Sequence, residues 1–150
     1  MPSERDEENR REGEAEPRVA WVAEGDAPWG RAVALALAAR GVRVLVTGKH
    51  ERTIAECVGE IAHAGGKARH FLGDAATDAG ARACGDAVVA RFGSVGFVVA
   101  GPATAECVTN WARSRPSVRV VSVERVDEEA AAVSTVLRQL EQAAGQSEQR

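Results

Sequence analysis

From Pro17 onward, short β-branched apolar runs alternate with longer alanine-rich stretches of helical period. Arg18–Ala23 (RVAWVA) reads as a buried strand, and Gly30–Arg40 (GRAVALALAAR) as a helix closed by Gly41, one residue past its C-cap. Val42–Thr47 (VRVLVT) is a second strand. His50–Ala64 is predicted as a helix because Ile54, Cys57, Val58 and Ile61 recur on one face, and Gly65-Gly66 stops it. Lys67–Gly73 gives a third strand, Ala76–Phe92 a third helix and Val95–Ala100 a fourth strand. A short helix over Ala105–Ser114 leads to a fifth strand, Ser117–Glu124. The final helix, Asp127–Ala144, aligns Val133, Val136, Leu137 and Leu140, with Gly145 predicted to end it.

Strands and helices in strict alternation build βαβ crossovers, hence a parallel sheet with helices on both faces. The strands read as continuous apolar runs, as burial on both faces demands. The expected fold is therefore α/β, a doubly wound parallel sheet of about five strands in the order 3-2-1-4-5. It occupies 17–145, between a charged tail over 1–16 and a short tail over 146–150. The first tail lacks the apolar residues that would offset the entropy of ordering it, so it is expected to be solvated.

Composition narrows the function. The 150 residues suit one domain, and 45% hydrophobic with 27% charged residues is a globular composition. No apolar run approaches the roughly 18 residues a membrane span requires, and the charged N-terminus has no apolar signal core. Residues 1–18 carry four arginines and seven acids, so the net charge of −3 resides there and the rest is balanced. Without a basic excess, no nucleic-acid footprint is expected. Cys57, Cys84 and Cys107 form no C-x-x-C pair, which argues against a disulfide framework and fits a cytoplasmic location.

Isolated chemistry is sparse. His50, His63 and His70 lack the spacing of a metal site, and none is expected. His63 suits the negative end of its helix, as Glu128 and Glu129 suit the positive end of theirs. Cys57 and Cys107 each follow Ala-Glu on a predicted helix and are expected as small buried residues.

The segments GRAVALALAARGVRVLVTGKHERTIAECVGEIAHAGGKARHFLGDAATD and AVVARFGSVGFVVAGPA, in that order, resemble the N-terminal, cofactor-binding half of the short-chain dehydrogenases/reductases. The resemblance covers roughly residues 18–103 and implies a Rossmann-like NAD(P)-binding domain. Family members carry T-G-x-x-x-G-x-G after the first strand, where backbone amides approach the pyrophosphate. In this register Ala23–Gly30 (AEGDAPWG) falls on that motif. Gly30 is retained, Glu24 stands for the first glycine and Pro28 for the second, with Gly25 one position late. A carboxylate about 4 Å from a phosphate repels it by roughly 1–4 kcal/mol. Trp29 has two readings: it fills part of the nucleotide cleft, or it is a core residue behind a helix that Pro28 starts.

The resemblance assigns further cofactor contacts. Lys49, with Gly48 in place of an acid, implies NADP over NAD. Asp74 matches the family aspartate at the adenine ring, with Ala75 beside it. Ala100 begins Ala-Gly-Pro-Ala, where the family has Asn-Asn-Ala-Gly. The family's catalytic Tyr-x-x-x-Lys has no counterpart, because the 150 residues include no tyrosine and their only lysines are Lys49 and Lys67. Ser122 lies on the fifth strand, where a family serine belongs, without those partners.

These observations point to a non-catalytic relative with no catalytic residues of the family type, acting through protein association. Its expected partner is a second copy or a complete family member, with the last helix as a contact face, and without nucleic acid or membrane. Cofactor binding is expected to be absent, or weak and for NADP(H). The alternatives are an NADP(H)-binding sensor, or the remnant of an oxidoreductase that needs a second chain.

Overall fold

A computed structural model of the chain describes residues 18–148. The tail expected over 1–16 lies outside the described residues. Among the described residues ten elements alternate without exception: β1 (Val19–Val22), α1 (Pro28–Ala39), β2 (Arg43–Gly48), α2 (Glu51–His63), β3 (Ala68–Leu72), α3 (Asp78–Phe92), β4 (Phe97–Ala100), α4 (Ala105–Ala112), β5 (Arg119–Ser122) and α5 (Glu129–Glu148). The strands form one parallel sheet in the order β3-β2-β1-β4-β5, as expected.

Alternation along each central strand sorts side chains into two cores. Ala20, Val22, Val44, Val46, Phe97 and Val99 face α1, α2 and α5, where Val33, Leu37, Ile54, Ile61, Val136 and Leu140 complete the packing. Trp21, Leu45 and Val98 face α3 and α4 instead, meeting Ala81, Cys84, Val88, Val108 and Trp111. The rings of Trp21 and Trp111 meet edge to face with centroids 5.4 Å apart. Trp21 Nε1 donates to Thr47 Oγ1 (2.8 Å), which donates onward to the Ala23 carbonyl (3.2 Å), so both buried polar groups are satisfied.

Three expectations need correction. Full burial holds for β1 and β4 and for β2 beyond Arg43, whereas the outer strands β3 and β5 are half-exposed because each has a neighbour on one side only. Helix α5 does not stop at Gly145 but runs to Glu148, since an interior glycine costs a helix only about 1 kcal/mol. The apolar stripe of α5 faces inward, with Val136 and Leu140 buried and Val133 and Leu137 partly buried against the core shared with α1. Cys107 is half-exposed, not buried, and its thiol donates to the Ala76 carbonyl at 3.5 Å. Three helix-ending glycines, Gly41, Gly65 and Gly93, adopt positive φ (85°, 90° and 84°), which L residues avoid.

A candidate nucleotide crevice

In a doubly wound sheet, ligands bind outside the carboxyl ends of the strands, where the strand order reverses. Here that point lies between β1 and β4, and the β1–α1 loop runs across it. The loop is tightly seated. Gly25 N donates to the Thr47 carbonyl at 2.8 Å, and a Cβ on Gly25 would lie 2.1 Å from Val46 Cγ1. A Cβ on Gly30 would lie 1.9 Å from the Glu24 carbonyl oxygen. Both glycines therefore allow close backbone approach of loop and helix to the sheet.

Trp29 is 3% exposed, and its indole edge lies where a Cβ of Gly101 would come within 2.5 Å of Cζ2. Trp29 belongs to the core facing α1 and packs against Gly101 just beyond β4. Glu24 reaches over the same spot. Its Oε2 accepts from Thr104 Oγ1 at 2.8 Å, and the Thr104 hydroxyl accepts from Gly101 N at 3.1 Å. Asp26 turns the other way, accepting from the amides of Lys49 and His50 at 2.8 and 3.3 Å.

A pocket of about 380 Å³ lies along the outer side of the loop, lined by Asp26, Pro28, Arg31 and Leu35 among others, and between the ends of β1, β2 and β3 lies a cleft of about 80 Å³, lined by Glu24, Asp26, Gly48, Lys49, Asp74, Ala75 and Thr104 among others. Cofactor-sized pockets run to about 300–1,000 Å³. The β3–α3 turn forms its far wall. Asp74 Oδ1 accepts from Ala76 N at 3.0 Å, and Thr77 caps α3 by accepting from Gly80 N at 3.0 Å. Of the residues singled out in the sequence, Lys49, Asp74 and Ala75 share this cleft. Gly25 and Gly30 space the backbone, Trp29 packs against Gly101, and Ala100 is buried in the core facing α3 and α4. Asp26 and Thr104 carried no sequence assignment; their signals were an acid two residues before the helix-starting proline and a threonine preceding α4.

None of the three thiols is activated. Burial pushes Cys84 up to about 11, with the Thr47 hydroxyl lowering it and Asp74 raising it. Burial also raises Cys57 against the opposing charge of Arg31. Cys107 is raised by desolvation and by the nearby Asp78, Glu106 and Asp74 carboxylates. A nucleophilic thiolate requires the opposite environment. Among the described residues no cluster of His, Cys, Asp and Glu is placed to hold a metal ion, and no helix is long and apolar enough to cross a membrane.

Fold and crevice together define a Rossmann-like α/β domain built on the dinucleotide-binding plan. The short chain dehydrogenase family model matches residues 18–114, and the chain belongs to that family. No curated protein matches it. Among solved structures, a short-chain type dehydrogenase/reductase from Mycobacterium ulcerans is 29% identical, with a TM-score of 0.51 over 55% of this chain and 31% of its own. A 3-ketoacyl-ACP reductase from Sinorhizobium meliloti 1021 is 25% identical, with a TM-score of 0.61 over 81% of this chain and 62% of its own. An NADP-bound 3-oxoacyl (acyl-carrier-protein) reductase from Agrobacterium tumefaciens C58 is 20% identical, with a TM-score of 0.63 over 83% of this chain and 61% of its own. The chain thus spans less than two thirds of each of these three proteins.

Proposed function

We propose that this chain is a non-catalytic short-chain dehydrogenase relative that acts through protein association, with a second copy or with a complete member of the family. One observation carries the reading: the crevice at the strand-order reversal is filled by Trp29 and by Glu24 bonded to Thr104. A diphosphate crossing there meets a carboxylate in place of a row of free amides. The outer strands β3 and β5 supply edges through which a partner's strand can add. Light scattering after size exclusion is expected to give a mass above the 15.8 kDa monomer, and a dehydrogenase assay no turnover. A strict monomer that captures no complete family member, or robust turnover by the chain alone, overturns the proposal.

A second reading has its own support. Lys49, Asp74 and Ala75 share the open cleft, and one neighbouring structure is NADP-bound, so a module holding NADP(H) by its adenosine end is the competing function. Heat on calorimetric titration with NADP(H) favours it, and none at millimolar nucleotide ends it. If the chain is instead one part of a split oxidoreductase, activity appears only on mixing with its second chain.

A further inference from the structure

We infer that the β1–α1 loop is a built-in plug: Glu24 and Asp26 occupy the anion-receiving positions at the ends of β4 and β2, so phosphate-bearing nucleotides enter only when these carboxylates are removed or displaced. The inference rests on the reading of the crevice as closed, and says what closes it.

Two glycine gaps carry the argument. At the end of β2, a Cβ on Gly48 would lie 2.6 Å from Asp26 Cγ, so the missing side chain makes room for that carboxyl. At the end of β4, a Cβ on Gly101 would lie 2.3 Å from Glu24 Oε2. One loop thus sends a carboxylate into the gap at each of two strand ends, and each arrives on donors. Asp26 takes the amides of Lys49 and His50, just where α2 begins and where the N-cap His50 supplies no side-chain cap. Glu24 takes the Thr104 hydroxyl. Consecutive amides at a helix start are the donors a phosphate seeks, and here the protein's own anion already holds them. Asp74 lines the same cleft, so three acidic residues border it beside one basic residue, Lys49. An entering phosphate finds its donors used and its surroundings like-charged.

A purely structural cap predicts that losing Asp26 only weakens the fold, whereas a plug predicts gained binding. The whole chain and its Asp26→Gly, Glu24→Gly and double variants are titrated with NADPH, followed by tryptophan fluorescence. Amide resonances of Lys49 and His50 are tracked in parallel, and thermal melts verify folding. The double variant is expected to bind NADPH at least tenfold more tightly than the unmodified chain, with both resonances moving. Gly48→Ala, which displaces the Asp26 carboxyl without altering Asp26, and Asp26→Asn, which keeps the amide bonds but removes the charge, are expected to change affinity in the same direction. Folded variants that bind no better than the unmodified chain overturn the plug and leave the association reading standing. Micromolar binding by the unmodified chain, with the Lys49 and His50 amides unmoved, overturns both.

Discussion

The β1–α1 and β3–α3 loops are built on one plan and put to different uses. Each begins with an acid at a strand end, Glu24 or Asp74, and reaches a glycine six residues later in the first turn of a helix. A Cβ on Gly30 would lie 1.9 Å from the Glu24 carbonyl oxygen, and one on Gly80 1.8 Å from that of Asp74. The same turn bond recurs, Ala27 N to the Glu24 carbonyl and Thr77 N to the Asp74 carbonyl. The side chains then part company. Asp74 stays local, accepting from Ala76 N, while Glu24 crosses to Thr104 on the far side of the crevice. Beneath the first loop lies the Trp29 indole; beneath the second lies the Cys84 thiol, 2.6 Å from where a Gly73 Cβ would be. Backbone geometry has thus been kept where the chemistry differs.

The largest test of that shared plan is Gly30→Ala beside Gly80→Ala. Each added methyl meets a backbone carbonyl that cannot swing aside, so each is expected to cost about 3 kcal/mol in urea unfolding. Equal losses support one scaffold used twice. A cost below about 1 kcal/mol at only one of the two sites shows that its loop relaxes and breaks the equivalence.

How far these loops were legible in the sequence follows from the same contrast. The elements and the two-sided sheet follow from periodicity, because burial imposes a repeat that any buried element must show, the helix end at Gly41 follows from its C-terminal glycine, and the strand order from the doubly wound plan those elements imply. Glu24 and Pro28 were also visible as departures from the glycine motif. The destinations of Glu24 and Asp26 were not, since a flexible carboxylate chooses between local and distant donors by tertiary placement. Thr104 lies 80 residues from Glu24 and Lys49 lies 23 from Asp26, separations that local patterning does not encode. The inward turn of the α5 stripe escaped for a similar reason: its periodicity reveals an apolar face, and only the topology shows that α1 already covers it.

A smaller effect separates the two loops by pH. Burial raises Cys84 from 9.0 to about 11, so the folded state holds the thiol proton more firmly than the unfolded chain does. Its contribution is full below pH 9 and is lost as pH rises from 9 towards 11, an effect on the order of 2 kcal/mol. Chemical unfolding across that window is expected to show declining stability, and Cys84→Ala to flatten the decline while lowering the plateau. An unchanged slope in Cys84→Ala removes the thiol as its cause and leaves the two loops alike in this respect.

The smallest and most discriminating change concerns the helix starts. Thr77 caps α3 through Gly80 N, whereas Ala27, at the equivalent position of α1, has no side chain able to accept from Gly30 N. Thr77→Ala is expected to cost about 1 kcal/mol. Ala27→Ser runs the same exchange in reverse. Ala27 already has the extended backbone of a cap (φ −84°, ψ 146°), close to Thr77 (φ −115°, ψ 153°), so a serine hydroxyl needs no rearrangement to reach the amide three residues on. A gain of about 0.5–1 kcal/mol is expected in urea unfolding, less than Thr77→Ala loses because Pro28 already presets the first turn of α1. If Ala27→Ser gains nothing while Thr77→Ala costs the full amount, the two loops differ in backbone as well as side chains.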